Sequence, residues 1–205
     1  MSKAMVILCI VLNLIIAGVT VWVVIRQIGE GKREHDNPYY TFRYFTTLSN
    51  VYAALGAFAA LICEVGMLSG TARYLPSPVA ALVFSSAVSV AVTFVTVMVF
   101  LGPTQGYHDL VTGEGAHLHV VAPILSAIAC CIECSEMPFR SVVWGILPVV
   151  AYSVLYYKRV ISYTGKRDVW PDFYGFNRGG KWKRALILMY ATVTALGILL
   201  WLGCR

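Results

Sequence analysis

Long apolar stretches separated by polar connections form the main pattern of the chain. Six of them are apolar enough over roughly 20 residues to cross a hydrocarbon core as helices. They lie at residues 5–25, 44–68, 78–101, 119–134, 142–157 and 185–202. No soluble domain remains outside them, so the pattern predicts an all-α, polytopic membrane protein. We expect one integral membrane domain over residues 1–205, built as a bundle of six transmembrane helices.

The first apolar stretch follows Lys3, as it would in a secretory signal peptide. It is longer than the apolar region of a signal peptide, however, and no Ala-x-Ala cleavage pattern accompanies it. We therefore expect a retained transmembrane helix.

Composition agrees with a membrane protein, and charge adds a preference for lipid. Hydrophobic residues make up 59% of the 205 residues, charged residues make up 13%, and the net charge is +6. Eight of the sixteen Lys and Arg residues fall within residues 158–184, beside several aromatic residues. Without a soluble module to present them, these cations favour anionic membrane lipids as partners and argue against nucleic acid.

The same charges predict an orientation. Lys and Arg are concentrated in the first and fifth connections, so the positive-inside rule places that side in the cytoplasm and both termini outside. We expect a multipass protein of the plasma membrane if the source is bacterial. The sequence leaves the oligomeric state open.

Several polar residues interrupt the apolar stretches. Asn13 is expected to form a hydrogen bond between helices, and Glu64 is expected at the membrane interface opposite the first connection. In helix three, offsets of three and four residues put four hydroxyls on one inward face: Ser86, Ser89, Thr93 and Thr96. They either bond to backbone carbonyls or line a cavity. The six cysteines all lie in or beside apolar stretches, so we expect packing residues, with no disulfide framework, metal or cofactor.

The most unusual polar segment is residues 42–50, which opens the second helix with the sequence Phe-Arg-Tyr-Phe-Thr-Thr-Leu-Ser-Asn. In a six-helix bundle the connections after helices one, three and five emerge on the same side. Thr46 and His119 therefore begin their helices at one end of the bundle, Thr96 approaches that end, and the aromatic loop at 170–177 caps it. Topology thus gathers the polar groups in one place.

A threonine hydroxyl becomes a useful nucleophile when a neighbouring base accepts its proton, and neutral imidazole suits that role. Thr46 and His119 are the candidate pair. Arg43, one turn before Thr46, is positioned to bind a carboxylate, and Asn50, one turn after it, is positioned to donate to an oxyanion. Thr47 and Ser49 are competing hydroxyls.

Two other readings stay open. His117 and His119, with His108, Asp109 and Glu114, offer enough ligands for a zinc site, although their spacing matches no recognised metal motif. Alternatively, the polar stripe of helix three lines a path in a non-enzymatic protein that binds or transports a lipid or small ligand. A retinal Schiff base is not expected, because no lysine falls inside a predicted helix.

Three short motifs resemble a known family. The segment at 42–50, the sequence His-Val-Val-Ala-Pro at 119–123 and the sequence Trp-Pro-Asp-Phe-Tyr at 170–174 are similar to motifs of the androgen-induced-gene family of membrane hydrolases. The bacterial relatives of that family are the predicted six-transmembrane proteins. The resemblance implies an intramembrane threonine hydrolase acting on fatty acid esters of hydroxy fatty acids.

Carried over to this chain, the resemblance implies Thr46 as nucleophile and His119 as base, with His117 as an alternative base. The expected substrate is a lipid-like or fatty-acyl ester, with its acyl chain among the helices. The remaining polar groups at the site are expected to contact the substrate: Arg43, Asn50, Ser89, Thr93, Thr96 and Trp170.

Overall fold

The fold is a bundle of six long helices, seen in a computed structural model that describes residues 1–135, 137–162 and 170–205, without the side chain of Asp109. All six helices are long and apolar enough to cross a membrane, and the described residues contain no strand. The prediction of an all-α multipass membrane protein is therefore confirmed. The helices are α1 (Lys3–His35), α2 (Phe45–Leu68), α3 (Ser77–Gln105), α4 (Gly113–Glu133), α5 (Phe139–Ile161) and α6 (Trp182–Gly203).

Helix α1 continues ten residues beyond its predicted end. Residues 26–35, which we expected to form a loop, continue the helix to His35. An Arg26–Glu30 ion pair of 3.3 Å spans one turn of this extension. The helix ends where Asp36 adopts a left-handed conformation with φ of 50°, immediately before Asn37 and Pro38.

The predicted loop at 102–116 is also largely helical. Helix α3 continues through a π-helical turn, Thr96–Leu101, to Gln105, and a short turn of helix covers His108–Val111. Helix α4 begins at Gly113, after the extended residue Thr112, and contains a second π-helical turn, His117–Val121. Polar residues therefore continue helices α3 and α4 beyond their apolar stretches. As a result, His119 lies inside α4 instead of at its entrance.

Helix α3 lies at the centre of the bundle. It packs against α2, α4, α5 and α6. The apolar stretch of α3 is 61% buried inside the bundle, whereas that of α6 is only 11% buried. The core on α3 includes Phe84, Val88 and Val92, while large apolar side chains such as Phe58, Ile62, Ile187 and Leu199 point outward. Such outward apolar side chains are those expected to contact lipid tails.

The hydroxyl stripe of α3 faces inward, as predicted. Ser86, Ser89 and Thr93 are buried, and Thr96 is half-buried. Ser89 donates to the Ser85 carbonyl at 2.9 Å and Thr93 to the Ser89 carbonyl at 3.4 Å, so much of the stripe satisfies backbone acceptors. All six cysteines are free, which agrees with the absence of a disulfide framework.

Polar contacts join α1 and α4 along their length. Asn13 bonds to Glu133, Thr20 to His117 and Arg26 to Glu114, at 2.7, 3.0 and 3.1 Å. The predicted interhelical hydrogen bond of Asn13 is thus confirmed. Glu64, expected at the membrane interface opposite the first connection, lies near the far end of α2, where it is fully buried between helices and accepts from Asn13. The fixed donor on α1 makes this burial possible.

Residues 170–177 fold back over the end of the bundle, as predicted. The Asp172 carboxylate accepts hydrogen bonds from the backbone N–H groups of Phe176 and Asn177, both at 2.9 Å, and from the Tyr156 hydroxyl. Rings of Phe173, Tyr174 and Phe176 pack against Tyr44, Tyr152 and Tyr156. We call residues 170–177 the aromatic cap.

Candidate active site

Thr46 lies in the first turn of α2, where the helix leaves backbone N–H groups without partners. Tyr44 precedes the helix in an extended conformation and provides no side-chain cap. The Tyr174 hydroxyl takes over this role, since it accepts from the Phe45 N–H at 2.8 Å. The aromatic cap is therefore bonded directly to the turn that carries Thr46.

Tyr174 is also the polar neighbour of Thr46. Burial raises the pKa of the Tyr174 phenol, whereas hydrogen-bonding contacts with Phe45 and Thr46 lower it in part. Burial likewise raises the pKa of Tyr44. Both phenols are consequently neutral at physiological pH, and each keeps a proton to donate.

A narrow cavity lies beside Thr46. Its volume is about 20 Å³, enough for little more than one water molecule, and its wall includes Thr93, Thr96 and Tyr174 among apolar side chains. Thr96, Tyr174, Phe176 and Met189 also line a larger groove of about 260 Å³ between α3, α6 and the aromatic cap. The Thr46 cavity and this mainly apolar groove therefore share part of their walls, and the groove lining also includes Thr104, Gln105 and Arg178.

His119 is half-buried in the π-helical turn of α4, and its Nδ1 lies 2.5 Å from the Leu110 carbonyl oxygen. A carbonyl only accepts hydrogen bonds, so Nδ1 carries the hydrogen and Nε2 keeps its lone pair. This tautomer is the one that a general base requires. The imidazole orientation comes from the short helix before α4, a feature that the apolar pattern does not reveal.

Asn50 connects the two candidate segments. Its amide donates to the Thr46 carbonyl at 2.8 Å and to the Leu118 carbonyl at 3.0 Å, while its own Oδ1 has no hydrogen-bond partner. The backbones of Thr46 and of the residue before His119 therefore meet at the same depth. No hydrogen bond joins the Thr46 and His119 side chains, both of which the structure describes, and His119 does not line the Thr46 cavity.

The competing hydroxyls have other bonds. Thr47 contacts the Thr41 hydroxyl at 2.9 Å and the Gln27 carboxamide oxygen at 3.4 Å, so it faces α1. Ser49 donates to the Thr46 carbonyl and contacts Thr93, both at 3.0 Å. Of the hydroxyls at this end of α2, Thr46 is the one whose side chain lines the narrow cavity.

Two of the other predicted substrate contacts line the cavity. Thr93 and Thr96 line it, whereas Ser89 lies deeper in α3. The Arg43 guanidinium stacks over the Tyr40 ring at 4.8 Å, in a 3₁₀ turn that precedes α2. Trp170 packs near Phe173, at 6.5 Å between ring centroids, and does not line the Thr46 cavity.

The predicted zinc ligands are not gathered within the described part of the chain. His117 Nε2 lies 3.0 Å from the Thr20 hydroxyl, His119 faces the Leu110 carbonyl and Glu114 pairs with Arg26. A different set of potential ligands, Cys9, Glu64 and Glu133, meets at the opposite end of the bundle. Sequence reasoning missed this set, because its members come from three helices and share no motif.

Tyr174, Phe176, Arg178 and Met189 are further residues at the site that sequence reasoning did not select. Tyr174 belongs to the Trp-Pro-Asp-Phe-Tyr motif, so that motif could have indicated it as a site residue. Nothing in the sequence pattern of α6 distinguishes Met189. In comparisons with known proteins, no family model, curated protein or solved structure matches the chain.

Proposed function

We propose that this protein is an intramembrane hydrolase of lipid-like esters, with Thr46 as the nucleophile and His119 as the general base. The observation that carries the proposal is that Thr46 lines a narrow cavity that shares part of its wall with a larger, mainly apolar groove. An acyl chain in that groove would present its ester to the hydroxyl. The motif resemblance adds the same two residues and the same substrate class.

In the proposed reaction, Thr46 Oγ1 attacks the ester carbonyl carbon while His119 Nε2 accepts its proton. The proton then passes to the departing alkoxide, which leaves as an alcohol, and water hydrolyses the acyl-threonine to a free acid. The His119 tautomer supports this role, since Nδ1 is bonded to Leu110 and Nε2 can accept.

Catalysis also requires a change at the site. Thr46 contacts Tyr174 in this structure, and the cavity beside it is too small for an ester. Substrate entry must therefore displace the Tyr174 ring and bring His119 towards Thr46. Hydrogen bonds between catalytic groups are often formed only in the substrate complex.

The groove also supports a substrate that carries a carboxylate. Arg178 lines it with Thr104 and Gln105, and Arg43 provides a second cation near the start of α2. An ester of a hydroxy fatty acid combines a free carboxylate with long apolar chains. Membrane lipids and fatty-acyl esters are accordingly the partners we propose, in the plasma membrane if the source is bacterial.

A second candidate is lipid binding without hydrolysis. It is favoured by the Thr46–Tyr174 contact and by the lack of a hydrogen bond between Thr46 and His119. In that case Thr46 would serve to hold the aromatic cap on α2, and the groove would bind a lipid as a final ligand.

Hydrolysis of medium- and long-chain fatty-acyl esters by the purified protein distinguishes the two functions. Thr46→Ala and His119→Ala are expected to lower kcat/KM by on the order of 10²-fold or more, because each removes a reacting group. Thr46→Ser should retain activity, and His117→Ala tests the alternative base. Labelling by a fluorophosphonate probe should depend on Thr46.

Matched controls are Thr71→Ala and His35→Ala, since these residues lie outside the groove and His35 is exposed. Equal turnover in wild type, Thr46→Ala and His119→Ala would exclude the hydrolase. Lipid that copurifies with a protein lacking turnover would then favour binding alone.

A further inference from the structure

Four polar side chains meet inside the bundle at the end opposite Thr46. Cys9 and Asn13, one turn apart, come from α1, Glu64 from α2 and Glu133 from the end of α4. The Asn13 amide donates to Glu64 Oε1 at 3.1 Å and to Glu133 Oε1 at 2.7 Å. We call these four residues the carboxylate cluster.

Three members of the cluster have potential metal-ligand atoms that lie close together. The Cys9 sulfur and a carboxylate oxygen from each of Glu64 and Glu133 all lie within 4.8 Å of one another. Such separations allow the three atoms to contact a single cation after small side-chain adjustments. A thiolate with two carboxylates is a donor set suited to zinc and similar divalent transition metals, whereas Mg²⁺ and Ca²⁺ prefer oxygen alone.

The two carboxylates of the cluster also lack hydrogen-bond partners for some of their oxygen atoms. Cys9 and Glu64 are completely buried and Glu133 is 8% exposed, yet Oε2 of each glutamate has no hydrogen-bond partner. Among the described residues the ion pairs are those of Arg26 with Glu30 and Glu114, so no cation pairs with the cluster. Two buried carboxylates sharing one amide donor require further positive charge, supplied by a proton or a metal ion.

One member of the cluster borders a larger space at this end of the bundle. Glu133 also lines a cavity of about 330 Å³ between the α2–α3 and α4–α5 connections, where Ser77, Ser135 and Ser141 provide polar groups. Arg140 is the cation on this wall, and it is exposed. A metal ion entering here would meet Glu133 first and would not need to cross the apolar interior.

We propose that the carboxylate cluster is a binding site for a divalent transition-metal cation, represented by Zn²⁺, with Cys9, Glu64 and Glu133 as ligands. Asn13 orients the two carboxylates through its paired hydrogen bonds. Binding displaces the thiol proton and any proton shared by the carboxylates, so the metal replaces protons as the neutralising charge. The proposal does not depend on ester hydrolysis, since the site lies at the other end of the bundle.

The test uses the full chain, purified in detergent and stripped with a chelator. After equilibration with Zn²⁺ and removal of excess, we expect about one bound zinc per chain by elemental analysis, and none in Glu64→Gln/Glu133→Gln. Co²⁺ should produce a near-ultraviolet sulfur-to-metal absorption that Cys9→Ser removes. Bound Zn²⁺ should raise the unfolding temperature of wild type but not of the double variant.

Glu30→Gln and Cys63→Ser are matched controls, because neither residue belongs to the cluster and both are only half-buried. Both are expected to bind Zn²⁺ as wild type does. Wild-type protein that binds no zinc would overturn the proposal and leave a shared proton as the neutralising charge. Zinc retained in both Cys9→Ser and the double glutamine variant would also overturn it. Metal content is measured directly, so ester turnover has no bearing on either result.

Discussion

At the scale of single residues, Gly145 allows α5 to lie directly against α3. A Cβ atom at this position would stand 2.9 to 3.1 Å from three carbon atoms of Val88, which is fully buried. Gly145→Ala should therefore destabilise the bundle by about 1–3 kcal/mol, the usual cost of overpacking a core. The midpoint of thermal unfolding in detergent measures this change.

Gly18→Ala is the matched control, because a Cβ at that helical position meets no atom within 4 Å. It should be neutral or slightly stabilising, as alanine is the better helix former. Val88→Ala combined with Gly145→Ala should recover part of the lost stability by removing the clash. Equal midpoints for Gly145→Ala and Gly18→Ala would contradict the close approach of the two helices.

The direction in which a side chain points could be predicted from the sequence only where similar residues recur at helical spacing. The inward face of Ser89 and Thr93 follows from an offset of four residues. The bond between Phe45 and Tyr174 joins residues 129 positions apart, and its formation depends on how the aromatic cap folds. For that reason the sequence proposes Thr46 with His119, while the structure adds Tyr174 as the group in contact with Thr46. The roles of Thr46 and His119 remain predictions.

At the scale of elements, a single carboxylate accepts three of the hydrogen bonds that hold the aromatic cap. Asp172 accepts from two backbone N–H groups of the cap and from Tyr156 on α5. Hydrogen bonds to a charged group contribute about 1.5–3 kcal/mol. Asp172→Ala should therefore increase amide hydrogen exchange at residues 173–177, and at Phe45 through Tyr174, by roughly tenfold or more.

Asp36→Asn serves as the control, since Asp36 is exposed at the end of α1 and asparagine tolerates its left-handed backbone. It should leave exchange in the cap unchanged. If Asp172→Ala also leaves exchange unchanged, the ring contacts and the Phe45–Tyr174 hydrogen bond must be sufficient to hold the cap. Faster exchange combined with faster ester turnover would link cap opening to substrate entry.

The number and type of the long elements follow from hydropathy, whereas their ends do not. Apolar side chains must be shielded from water, so six apolar stretches were enough to predict six helices. Residues 26–35 and 113–118 are polar enough to resemble loops, yet their backbone bonds continue the helices beyond the apolar core. The burial of Glu64 was not predictable for a related reason, since it depends on Asn13 and Glu133 from other helices.

At the scale of the whole molecule, the two ends of the bundle differ in charge and chemistry. Among the residues that the structure describes, the end that carries Thr46, His119 and the aromatic cap also carries ten of the fourteen Lys and Arg residues. The opposite end has Lys3, Arg73, Arg140 and Arg205, together with the carboxylate cluster. Cationic connections remain in the cytoplasm during membrane insertion, so this asymmetry predicts how the protein is oriented.

Both termini are therefore expected outside the cytoplasm when the full chain is expressed in a bacterial inner membrane. Alkaline phosphatase fused after Arg205 should be active, because it folds only outside, whereas green fluorescent protein at the same position should remain dark. The same reporters on a protein of known topology control for expression. A fluorescent protein fusion that is bright, together with a phosphatase fusion that is inactive, would show the opposite orientation. The proposed ester site would then face outward, and a metal ion would reach the carboxylate cluster from the cytoplasm.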